Sequence, residues 1–251
     1  MSILRNWRRR RIRRRPFPVD WERFLRETVP LYVALPAPDQ RELQSHVLVF
    51  LAEKHFEGCA GVRITDEVRL AIAAQACILL LHRPTNYFSR VISILVYPAT
   101  YVDRRSKHHD GPIVTEGSDS RAGEAWPYGT VVLSWEDIIT PPHKDDFAVN
   151  IVLHEFAHEL DFEFDLTTGI ESTDPDACPP WAQVVEDEYE NLKEDVERDR
   201  PTLMNPYGAT NLAEFFAVAT ETFFEIPHDL RRYHPELYDV LKSFYHLDPA
   251  I

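Results

Sequence analysis

The residues of this chain with the clearest capacity for chemistry are two histidines four apart with a glutamate between them, His154-Glu155-Phe156-Ala157-His158. On an α-helix, positions four apart lie about 40° from each other on one face, so two imidazoles can reach one ion at about 2.0–2.1 Å. Glu155 is turned roughly 100° from His154, which sets its carboxylate beside the open position of such an ion. Zinc is the metal this pattern suggests. A zinc ion lowers the pKa of a bound water towards 7, and an adjacent carboxylate can take the proton during attack on a carbonyl and pass it to the leaving amine. A chance pentapeptide on a surface helix would have polar flanks. Here Ile151, Val152, Leu153, Phe156, Ala157 and Leu160 make the segment apolar almost all round. Both imidazoles should therefore be buried, and a buried histidine needs a partner.

A catalytic ion needs a third protein ligand. Asp161 and Glu214 are the candidates. The short Asp161 side chain starts about 4.5 Å further along the helix axis than His158 and turns back poorly. It reads better as the acceptor for the other N–H of a ligating imidazole. Glu214 lies in the apolar stretch 213–219, where an unpaired carboxylate would be costly. Glu221, two turns on along the same face, reads as a supporting acceptor or as the ligand itself. A buried salt bridge would also account for either glutamate.

Helical periods or apolar helical runs position these groups. Apolar residues recur at three- and four-residue steps over 37–56, and Thr65 followed by Asp66 and Glu67 opens a buried helix over 65–81. A short helix or an anchoring strip is expected over 21–29, and further helices over 147–162, 181–197, 212–225 and 236–245, the helix over 212–225 following a turn at Pro206 and Gly208. The β-branched runs 91–97 and 129–135 read as strands of a small sheet, with 103–128 as a long loop or irregular hairpin and 167–180 as a shorter loop. The expected fold class is α+β, mostly helical.

The 251 residues are 44% hydrophobic with only 8 Gly, enough to bury a core around polar groups. The formal charge of −14 divides unevenly: residues 1–15 carry eight arginines and no acid, and the remainder is −22. An acidic body binds nucleic acid poorly, so no specific nucleic-acid partner is expected. The leader reads as a disordered solvated tail, with weak contact to anionic membranes or to a partner as the alternative. Residues 16–251 read as one domain, with a helical part over 16–90 and a catalytic part over 91–251. Cys59, Cys77 and Cys178 are odd in number and show no CxxC spacing, which fits a reducing cytoplasm. The leader lacks a signal-peptide apolar stretch, and the apolar run 71–81, interrupted by Gln75, is too short to span a bilayer.

The zinc-binding pattern, Tyr207-Gly208-Ala209-Thr210-Asn211 and the Glu214 segment together resemble the Mlc titration factor A (MtfA) family of bacterial zinc peptidases. The likeness covers nearly the whole chain, including the basic leader running into Pro16-Phe17-Pro18. The catalytic core also resembles that of anthrax lethal factor. The resemblance implies a zincin-like metallopeptidase fold and Zn2+ bound by His154, His158 and Glu214. It further implies Glu155 as general base and Tyr207 facing the substrate carbonyl, where a phenol O–H would donate to the developing oxyanion. Aminopeptidase-type hydrolysis of peptides and binding of the Mlc-type glucose repressor are implied too, the alternative being a repressor-sequestering protein in which catalysis is secondary. Glu159 departs from the pattern, being a charge where zinc-peptidase helices usually carry an uncharged residue. The strand over 130–135 is expected at the cleft rim, able to pair with an extended peptide. His108, His109, His143 and His246 read as solvated or lone histidines, and Phe215, Phe216, Phe223 and Phe224 as core or pocket wall.

Overall fold

The computed structural model describes residues 2–99, 129–140, 147–164, 166–167 and 181–251. The long loop expected over 103–128, residues 168–180 of the second loop, His108, His109, His143 and Cys178 lie outside them. In chain order the elements are α1 (Ser2–Arg13), α2 (Val19–Thr28), α3 (Pro30–Ala34), α4 (Ala37–Glu53), β1 (His55–Gly58), α5 (Asp66–Ile78), β2 (Ser93–Tyr97) and β3 (Thr130–Ser134). They continue with α6 (Trp135–Ile139), α7 (Ile151–Phe164), α8 (Ala182–Glu197), a 3-10 turn (Pro206–Ala209), α9 (Leu212–Glu225), α10 (Pro227–Tyr233) and α11 (Pro235–Tyr245). The fold is thus a mostly helical α+β arrangement with one small sheet.

That sheet is parallel throughout, in the order β1-β2-β3, with Ser93 opposite both His55 and Thr130. Ile94, Val96, Val131 and Leu133 alternate into the core, the two-residue period that the β-branched runs announce. Among the described residues β3 is an edge strand. Its turn into α6 is capped by Ser134, whose hydroxyl accepts from the Asp137 N–H at 3.3 Å. Strand β1 occupies the end of what periodicity assigns to the 37–56 helix. The helix stops at Glu53 because the Lys54 ammonium is held by the carbonyls of Phe88 and Val91 at 2.6 and 2.7 Å, and the chain then pairs with β2.

One cluster of buried apolar side chains runs from Ile12 to Ala250. Helix α5 is buried along most of its length, with the Thr65 hydroxyl accepting from the Val68 N–H as its cap. Phe156, inside the histidine pattern, packs edge-on against Phe50 of α4 and Phe88, with ring centroids 5.6 and 4.7 Å away. The helical N-terminal part and the catalytic part therefore share packing. Phe215, Phe216, Phe223 and Phe224 are core residues, Phe223 stacking on Tyr245 at 5.7 Å. His246 ends α11 in the left-handed region at φ 53°. Among the described residues no helix is long and apolar enough to cross a membrane.

The leader departs from expectation. It is not a disordered tail but helix α1, packed on α4. Arg9 grips both Glu53 oxygens at 2.7–3.2 Å, donates to the Asn86 carbonyl at 2.8 Å, and stacks 4.7 Å from the Tyr87 ring centroid. Ile12 is buried beside it, and Arg13 donates to the Ser45 hydroxyl at 3.1 Å. Charge counting weighs all eight arginines alike, whereas the helical period puts Arg9, Ile12 and Arg13 on one face. Arg9→Ala strands the half-buried Glu53 carboxylate and should cost about 3 kcal/mol, whereas exposed Arg10→Ala should stay within about 0.5 kcal/mol. Urea unfolding midpoints check both; equal midpoints for the two variants would mean that α1 adds no stability.

Candidate metal centre

Two helices carry the chemistry. Asn150 starts α7, its side-chain oxygen accepting from the Leu153 N–H at 3.1 Å, and Phe156 anchors the helix to the aromatic core. Asn211 starts α9 in the same way, accepting from the Glu214 N–H at 2.9 Å. This cap places Glu214 in the first turn, where a carboxylate is favoured by the helix dipole. Before it, Gly208 lies so close to Leu192 and Val218 that a Cβ would meet them at 3.2 and 3.3 Å, which lets the 3-10 turn press against α8 and α9.

Helix α7 packs along α9, and His154, His158 and Glu214 converge in its core, all three buried. The His154 Nε2 lies 3.0 Å from the Glu214 Oε2 and 3.2 Å from the His158 Nε2, and the third side, His158 Nε2 to Glu214 Oε2, is 3.4 Å. Three donors at about 2.0–2.1 Å from a tetrahedral ion stand about 3.3 Å apart, so this triangle has the size of one face of a metal site. On its other side, His154 Nδ1 meets the Glu221 carboxylate at 2.7 Å. A carboxylate only accepts, so Nδ1 holds a proton towards Glu221, which leaves Nε2 as the nitrogen able to turn a lone pair to the triangle when a metal is bound. One proton cannot sit between all three converging atoms, whereas a cation can. The residues fit a bound metal.

Glu221 is fully enclosed and also accepts from the Asn150 backbone N–H. The Asn150 amide donates to Gln75 and Glu225, each at 2.7 Å. Beyond Glu221, sequence reading missed this network: the helix expected from 147 hid Asn150 as a cap, although a Gln inside the apolar run 71–81 was a visible signal. Burial works against charge on His154, but the hydrogen bonds of Glu214 and Glu221 carry its pKa up to about 10. Burial likewise opposes charge on Glu214, yet the two imidazoles hold it down to about 2. Burial pushes Glu221 up.

Glu155 is half-buried and, among the described residues, engaged in no hydrogen bond or ion pair. Burial pushes its carboxyl above the ordinary range, and the charges of Glu214 and Glu159 push the same way, against both histidines. Tyr207 stands in the 3-10 turn with its ring centroid 6.1 Å from that of His154. Its backbone N–H is fixed by the Asn205 side chain at 3.0 Å. Asp161 does not receive an imidazole N–H as expected. Both its oxygens are taken by Thr167, six positions on, from the backbone N–H at 2.7 Å and the hydroxyl at 2.6 Å.

A histidine pair and a glutamate from two packed helices, with a half-buried carboxylate beside them, are the arrangement a metallopeptidase uses. The chain belongs to the glucose-regulated metallo-peptidase M90 family, whose model matches residues 4–246. It is 38% identical to the uncharacterized protein slr2042 of Synechocystis over 248 residues, 98% of this chain and 90% of that protein. It is also 26% identical to Mlc titration factor A of Yersinia pestis over 227 residues, 88% of this chain and 82% of the relative.

Proposed function

We propose that this metallopeptidase is a zinc enzyme of aminopeptidase type, with His154, His158 and Glu214 as ligands. The observation that supports it is the buried donor triangle with sides of 3.0–3.4 Å. When bound, zinc supplies Lewis-acid polarisation of the substrate carbonyl and acidifies a water for attack. Glu221 keeps the proton on His154 Nδ1. Glu155 takes the proton of the attacking water and returns it to the leaving amine, a role suited to a carboxyl whose pKa burial has raised. Tyr207 donates its hydroxyl to the carbonyl oxygen as that atom gains charge. The peptide lies extended beside the edge strand β3.

The test compares peptides with a free N-terminus against their N-acetylated forms, with and without chelation and zinc return. Free peptides should be cleaved at least about 100-fold faster, because acetylation removes the charged amine that an aminopeptidase recognises. Equal cleavage of both forms would make the enzyme an endopeptidase. Turnover that survives chelation would remove zinc from the reaction.

A second role rests on the name of the Yersinia relative: we propose that the chain also captures an Mlc-type repressor. Catalysis is then secondary to binding.

A further inference from the structure

Helix α1 has a second face that the fold does not use. Arg9 and Ile12 point into the protein and Arg13 reaches Ser45, but Ile3, Leu4 and Trp7 are 85%, 78% and 62% exposed, although α1 is docked on α4. At about 100° per residue Ile3 and Trp7 lie within roughly 40° of each other, with Leu4 about 60° beyond Trp7, so the three form one outward stripe. Arg10 and Arg11 flank it, both exposed, and the Arg11 guanidinium lies 6.0 Å from the Trp7 ring centroid. Arg14 and Arg15 add exposed positive charge at the C-terminal end of the stripe.

We propose that this face of α1 docks on an anionic lipid surface. Ile3, Leu4 and Trp7 enter the boundary between headgroups and acyl chains, and Arg10 and Arg11 reach the lipid phosphates. An apolar stripe containing Trp, edged by arginines on a helix lying flat, is the arrangement an interfacial helix needs, with the long arginine stems following the stripe and the guanidinium groups staying at headgroup level. Charge complementarity selects anionic lipid: each arginine near such a surface is worth roughly five-fold in affinity. Nucleic acid would use the arginines too, but it has no use for exposed Ile3 and Leu4, and a single tryptophan is a poor stacking platform. The remainder of the chain, at −22, is repelled by anionic lipid, so contact is restricted to α1 and the enzyme is held in one orientation. This inference is independent of the peptidase reading, since none of these residues belongs to the metal centre.

Sedimentation of the full chain with vesicles tests it, using phosphatidylcholine alone and phosphatidylcholine with phosphatidylglycerol. The protein should pellet with the anionic vesicles at low salt and not with the neutral ones. It should be released as salt rises to about 1 M, where the screening length falls to about 3 Å. The triple substitution Ile3→Asp, Leu4→Asp, Trp7→Asp should reduce partitioning at least about ten-fold. The pair Arg10→Gln, Arg11→Gln should reduce it about 25-fold. Both variants should keep the melting temperature and peptide turnover of the parent, because all five side chains are exposed. Failure of the parent protein to pellet with anionic vesicles overturns the proposal. So does stronger binding to single-stranded DNA than to vesicles, or a concentration-dependent dimer that the triple substitution abolishes.

Discussion

Replacing Glu155 by glutamine should lower kcat/KM for peptide hydrolysis on the order of 10³-fold while leaving metal content, melting temperature and KM close to those of the parent. The amide matches the carboxylate in shape but cannot accept a proton from water, so the loss falls on kcat. Glu155 is half-buried and, among the described residues, holds no partner in place, which is why stability should be unaffected. The same variant separates catalysis from capture. If the repressor role holds, Glu155→Gln binds the repressor with unchanged affinity, and no binding by the parent would remove that role. Turnover within ten-fold of the parent would show that another group moves the proton.

The second large effect is on metal retention. Glu214→Ala should weaken zinc binding by well over 100-fold, beyond the 10–100-fold that loss of an outer partner costs, and turnover should fall in proportion to the metal lost. The substitution removes one corner of the triangle and leaves the two buried Nε2 atoms facing each other at 3.2 Å with no carboxylate between them. Asp161→Ala should leave zinc affinity unchanged and cost about 1–3 kcal/mol of stability, because it strips the Thr167 N–H and hydroxyl of their acceptor. Elemental analysis and competition with a chromophoric chelator measure the affinities. Full metal content in Glu214→Ala, or loss of metal in Asp161→Ala, would reverse the assignment of the third ligand.

Most of the helices and both longer strands were readable because their signals are local. Thr65 before Asp66 and Glu67 marked α5, and the limits of α9 over 212–225 were read without error. The short pieces were not legible. Helices α3 and α10 hold five and seven residues, too few to show a period, and β1 acquires its conformation from pairing with β2. Arg9 was hidden among like residues, since nothing in a run of arginines tells which one meets a carboxylate 44 positions away.

By itself the sequence determined the reactive pattern: the spacing of His154, Glu155 and His158 sets their relative directions as soon as the segment is helical, because the α-helical period is a local property. It also confined the third ligand to three acids. Only the tertiary structure decided their uses, bringing Glu214 to the imidazoles, putting Glu221 behind His154 and turning Asp161 to Thr167. The reason is that 60 residues separate His154 from Glu214. No local propensity spans that distance, so packing of α7 against α9, with caps at Asn150 and Asn211, sets which carboxylate arrives.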